Sequence, residues 1–199
     1  DVIDGLPVAN YPVTNEVALS WALALSGSWV IASVWNPLLL ALLIAAGVLG
    51  LRALRVPPAV RVGALAAYVA LPLLLTQMGG PLTDLPCAAW LVAAAGLAAA
   101  SRERPALLPV ALVAAGLSFG TKTTGSVLLL AALLAAAIPL RHELRRLPRA
   151  WAWLVPAALV VGGAWVTRNL IDHGSPLWPL VATPWGDDVP APFAAVDDS

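Results

Sequence analysis

Between Glu16 and Arg52 the chain carries no charged side chain, and further uncharged apolar stretches follow it, separated by short clusters of arginine. Runs of this kind point to helices that cross or enter a lipid bilayer, because a helix satisfies its own backbone polar groups where no water can. Composition agrees: 60% of residues are hydrophobic and 11% charged, and the mean hydropathy is +0.86. One soluble core of this size cannot bury so much apolar surface. The expectation is an all-α, polytopic transmembrane helical bundle with about six to seven hydrophobic segments. It is expected to be an integral, multi-pass membrane protein. The domains expected are a non-cytoplasmic loop remnant over 1–16, a helical membrane domain over 17–167 and a non-cytoplasmic loop over 168–199.

The first fifteen residues hold Asp1, Asp4, Gly5, Pro7, Asn10, Pro12 and Asn15, a loop composition. There is no initiator Met and no signal-type segment, so the chain reads as an excerpt whose preceding helix is missing. The run over 17–51 allows two arrangements. Either one helix crosses as far as Val34 and a second returns from Pro37 after an Asn36-Pro37 break, or the part before Trp29 lies in the interface and one tilted helix crosses. Later segments are expected at 59–76, 84–100, 106–119 with 126–140, and 150–167. The pair 106–119 and 126–140 is too short for two ordinary spans and reads as a helical hairpin. Gly96, Gly116, Gly162, Gly163 and Pro72 are expected to serve close packing or kinks.

Arginines mark the topology. Arg52, Arg55 and Arg61, then Arg102 and Arg104, then Arg141, Arg145, Arg146 and Arg149 are separated by even numbers of crossings, which puts them on one face, the cytoplasmic one. Glu103 and Glu143 sit among them as surface partners. The opposite face receives Asp84, Lys122, Arg168 and, with a single net crossing before Arg52, the N-terminal acids.

Lys122 is the only lysine and sits in the hairpin tip Gly120-Thr121-Lys122-Thr123-Thr124-Gly125. An ammonium near hydrocarbon is costly and reads first as a partner for an anion; the alternative is a lysine that snorkels to the interface. Four other places combine polar chemistry with that face. Tyr11-Pro12 leads to Asn15 and Glu16, where Thr14 or Asn15 would cap a helix and Glu16 would suit its positive end. Thr83-Asp84 resembles a cap as well. Arg168-Asn169 closes an apolar helix, and a rigid turn, His173-Gly174-Ser175-Pro176-Leu177-Trp178-Pro179, follows. No phosphate loop or H-E-x-x-H motif is present, one cysteine excludes a Cys-based metal site, and His142 and His173 fall on opposite faces. No cofactor and no metal-ligating residues are expected, the use of a divalent metal is left open, and no nucleic-acid partner is expected.

Tyr11-Pro12 with Glu16, then Gly116-Leu117 leading to Gly120-Thr121-Lys122, then Trp165 with Arg168-Asn169 and the Gly174–Pro179 turn occur in the order found in one family. The chain resembles the GT-C superfamily of membrane glycosyltransferases, in particular bacterial proteins like the dolichyl-phosphate-mannose protein mannosyltransferases. Ser175 and Trp178 stand where that family has Asn and Tyr. Its first helix, and the acid after it that serves as base, would fall at or before position 1. The resemblance implies sugar transfer from a polyprenyl-phosphate donor to an acceptor on the non-cytoplasmic face, with membrane lipid around the protein, in a bacterial plasma membrane. It implies Lys122, Arg168, Asn169 and Tyr11 as substrate-binding residues, and Asp4, Glu16 or Asp84 as the candidate catalytic base. A multi-pass transporter or flippase, or a catalytically inactive scaffold, are the competing readings.

Overall fold

The computed structural model describes residues 11–80, 82–122, 145 and 153–190. Asp4, the arm 126–140 and the arginines at 141, 146 and 149 lie outside the described residues. The described part is helical, without strands: α1 Thr14–Ser26, α2 Val30–Ala53, α3 Pro58–Val69, α4 Pro72–Thr76 extended by a 3-10 turn Gln77–Gly79, α5 Asp84–Ala100, α6 Leu107–Phe119 and α7 Leu154–His173.

Local sequence explains most of the boundaries. Gly27 and Gly174 end α1 and α7 at φ 61° and 67°, a conformation that glycine adopts without steric cost. Pro58 opens α3 at a position whose N–H has no helical acceptor. At the end of α2, Arg55 takes φ 59° while Val56 N–H donates to Leu51 O and Arg55 N–H to Arg52 O, the paired bonds of a Schellman cap.

Two boundaries differ from expectation. Asn36-Pro37 does not break the chain: Pro37 lies inside the 24-residue α2, and the separation of helices falls earlier, at Gly27–Trp29. Of the two arrangements for 17–51, the helix boundaries match the one with a separate segment before Trp29. The last helix does not close at Arg168-Asn169 but continues for another turn to His173. The stretch 59–76 is also interrupted, because Pro72 starts a new helix bent 55° from α3.

α2 and α5 run parallel, with α6 antiparallel to α5 and α7 alongside α6. Leu39 and Leu43 pack with Leu74, Leu85 and Ala89, while Ala46 packs with Ala93, Ala94, Ala114 and Ala115. Small residues let the backbones touch. A Cβ on Gly50 would lie 2.7 Å from Gly96 Cα, and one on Gly162 would lie 2.7 Å from Gly116 O. Gly163 meets nothing among the described residues and takes no part in this packing.

Among the described residues one helix, Val30–Ala53, is long and apolar enough to cross a membrane, and the bent pair Pro58–Val69 with Pro72–Gly79 would make a second if it acts as one span. The about six to seven spans expected from the sequence are therefore not all visible among the described residues, where α5 has 17 residues and α6 has 13. Large apolar side chains face outward on several helices, including Trp21, Leu25, Trp29, Leu73, Val160 and Ile171. Such exposure suits lipid contact.

Candidate functional site at the Asp84 end

One end of the bundle gathers the polar side chains of five segments. It is built upward from Asn36, which is buried and donates through Nδ2 to Gln77 O and Gly80 O, each at 2.7 Å, and to Leu82 O at 3.2 Å. An amide within an apolar helix needs such partners, since an unmet hydrogen bond there is costly. The three carbonyls belong to the link between α4 and α5, so Asn36 fixes that link against α2.

The link in turn presents Gln77, the only glutamine in the chain. Its Oε1 accepts Leu85 N–H at 2.8 Å, one of the free amides in the first turn of α5, and its Nε2 donates to Asp84 Oδ2 at 2.7 Å. The other carboxylate oxygen, Oδ1, pairs with Lys122 Nζ. Asp84 is thus held from both sides, by a neutral donor and a cation. Thr83 makes no side-chain cap to α5, so the capping role falls to Gln77. Asp84 and Lys122, expected on the same face, meet here as a direct pair across 38 residues of sequence.

The start of α1 closes the same end. Thr14 N–H donates to Gly120 O at 2.9 Å and Thr14 Oγ1 to Val161 O at 3.1 Å, tying α1 to α6 and α7. Neither Thr14 nor Asn15 caps α1 with its side chain. Asn15 is buried and accepts from Trp35 Nε1 at 3.0 Å, which leaves its Nδ2 without an acceptor among the described residues. Glu16 is exposed, and Tyr11 is half-buried; among the described residues neither makes a side-chain hydrogen bond or ion pair.

Val161 marks the level of Gly120 on α7, so Arg168 projects about 10 Å farther along the helix axis. Trp165 lies between them, packed on Phe119 with ring centroids 5.9 Å apart. Arg168 Nη2 donates to Asn169 Oδ1 at 3.3 Å, and its Nε is buried without an acceptor among the described residues, as is Trp165 Nε1. Although the helix continues to Asp172, no ion pair forms between Arg168 and Asp172. Asn169 is fully buried and donates to Trp178 O at 2.7 Å, while Trp178 stacks on His173 at 3.7 Å. The Arg-Asn and Gly-Ser-Pro-Leu-Trp-Pro motifs are therefore joined by a hydrogen bond, and Asn169 holds the turn against the helix. His173 Nδ1 pairs with Asp187 Oδ2 at 2.9 Å and extends the same fold-back.

Of the residues expected at the site, Asp84 and Lys122 meet directly. Arg168 and Asn169 share a separate cluster on α7, Glu16 and Tyr11 stand at the start of α1, and Asp4 lies outside the described residues. Sequence reasoning passed over Gln77 and took Asn36 for a break. The available signal was a lone amide in an apolar run, which must find a partner inside the fold. No group of three or more His, Cys, Asp or Glu side chains among the described residues is arranged to hold a metal.

No protein-family model matches the chain, and neither does any curated protein or solved structure.

The pair can be measured directly. Lys122 and Asp84 side chains are 39% and 34% exposed, so solvent screening trims their attraction in water. Lys122→Ala and Asp84→Asn are each expected to lower stability by about 1 to 2 kcal/mol. The double variant should lose less than the sum, with a coupling of at least about 0.5 kcal/mol in unfolding experiments on the detergent-solubilised chain. Strict additivity would mean that the ion pair does not persist in solution.

Proposed function

We propose that this chain is a membrane glycosyltransferase, or part of the membrane core of one, with several crossings and its working face at the Asp84 end. In this reading it transfers a sugar from a polyprenyl-phosphate donor to an acceptor on the non-cytoplasmic side. The observation that carries the reading is the Asp84 carboxylate held between Gln77 and Lys122 at the end of an apolar bundle. Support also comes from the motif order described above and from the buried Arg168 Nε on α7, a donor suited to a phosphate oxygen.

The pairing suggests how donor and base would work together. A donor phosphate arriving at the interface competes with Asp84 for Lys122, and low dielectric strengthens that competition. Once Lys122 turns to the phosphate, Asp84 keeps its orientation through Gln77 and gains a free oxygen. That oxygen accepts the proton of the acceptor hydroxyl as the hydroxyl oxygen bonds to the sugar's anomeric carbon. The bond from that carbon to the phosphate oxygen breaks, and the polyprenyl phosphate leaves with its charge against Lys122 and Arg168. Glu16, at the same end, is the other described candidate for the base.

The test is binding of a polyprenyl-phosphate hexose to the full-length protein in lipid nanodiscs. Lys122→Ala and Arg168→Ala should each weaken it by about 1.5 to 3 kcal/mol, the scale of a charged hydrogen bond, and Arg168→Lys should recover part of the loss. Unchanged binding in both alanine variants, with the fold intact, refutes this reading.

A second reading draws on the 55° break between α3 and α4, which leads straight into the Gln77–Asp84 link. Interrupted helices beside intramembrane charges also build transporter sites. Movement of a polyprenyl phosphate across the bilayer of a reconstituted vesicle, without sugar transfer, would favour that reading.

A further inference from the structure

At the opposite end of the bundle, the end of α2, the turn after α5 and the start of α6 line an open cavity of about 330 Å³, around which Arg52, Glu103 and Arg104 are exposed. Leu49, Ala100 and Leu107 form apolar walls, and Arg52, Glu103 and Arg104 supply the charge. Among the described residues none of these three charged side chains makes a hydrogen bond or an ion pair, although all three line the same space. Two guanidiniums and one carboxylate that share a cavity without pairing leave room for a ligand carrying both signs of charge.

We propose that this cavity binds the headgroup of phosphatidylethanolamine, with its phosphate on Arg52 and Arg104 and its ammonium on Glu103. A guanidinium matches phosphate through parallel N–H donors, and cavities lined by basic residues between membrane helices are suited to lipid headgroups. The apolar walls suit the glycerol and first methylenes of the acyl chains. Glu103 decides between headgroups, because it attracts an ammonium and repels the net negative charge of phosphatidylglycerol. This inference rests on the chain being membrane-embedded and not on glycosyl transfer.

The experiment is native mass spectrometry of the full chain released from nanodiscs that contain equal amounts of phosphatidylethanolamine and phosphatidylglycerol. The unchanged chain should retain phosphatidylethanolamine preferentially. Arg52→Ala with Arg104→Ala should lower that retention about tenfold, the equivalent of one lost charged contact. Arg52→Lys with Arg104→Lys should keep part of it, which separates loss of the site from loss of the fold. Glu103→Gln should erase the preference between the two lipids. Equal retention of both lipids by the unchanged chain, or undiminished retention by the double alanine variant, overturns the proposal. An alkaline carbonate wash that strips the chain from membranes overturns it too, through failure of the membrane reading itself.

Discussion

Replacing Gly96 with leucine is expected to destabilise the fold by about 3 kcal/mol or more, the upper range for overpacking. A Cβ at this position meets Ala46 backbone O, and one on the facing Gly50 would lie 2.7 Å from Gly96 Cα. Neither neighbour is the mobile end of a side chain, so α2 and α5 would have to separate. Their separation would loosen both apolar clusters, since Ala46 meets Ala93 and Ala94 beside this crossing and Leu43 meets Leu85 and Ala89 beyond it. Gly163 supplies the control. Among the described residues nothing lies within 4 Å of a Cβ there, and Gly163→Ala should raise stability by up to about 1 kcal/mol through helix propensity. Thermal unfolding in detergent should order the three proteins as Gly163→Ala, unchanged, Gly96→Leu. Equal midpoints for the last two would show that the α2–α5 contact is looser than described.

A loss of similar size, about 3 kcal/mol or more, is expected from Asn36→Asp, which keeps the side-chain shape but replaces the amide donor with an acceptor. Three backbone carbonyls, those of Gln77, Gly80 and Leu82, would lose their donor and face a carboxylate instead. The damage should begin locally. With the link between α4 and α5 released, Gln77 no longer caps Leu85 N–H, and the Leu85 amide should lose hydrogen-exchange protection before the α5–α6 contact does. Asn36→Leu should show the same order of loss without the added charge. Protection at Leu85 that matches the unchanged chain would remove Asn36 from its positioning role and leave Gln77 to act alone.

Helix type and several helix ends were legible in the sequence, because they depend on neighbours along the chain. Long uncharged apolar runs separated by arginines satisfy their backbones as helices, and Gly174 acts through its own backbone preference. Asp84 and Lys122 stood out singly for the same reason, as ionisable groups bordering apolar runs. Both were expected on one face, but their direct pairing was not legible. It depends on how α6 lies against α5, and that register is set by contacts such as Cys87 with Ser118, where Ser118 Oγ donates to Cys87 O at 3.1 Å. Asn36-Pro37 was misread because the local cost of proline in a helix is visible along the chain, whereas the three carbonyls that hold Asn36 in place come from 41 to 46 residues away. The end of α7 was misread for a related reason. Arg168-Asn169 looked like a helix terminus beside a turn, but Asn169 reaches the turn from inside the helix, and only the fold-back of Trp178 shows the acceptor it needs. Sequence therefore determined which segments are helical and which side chains are too polar to be left unmatched, and tertiary structure alone decided which of them match, because a hydrogen bond requires a distance that spacing along the chain does not specify.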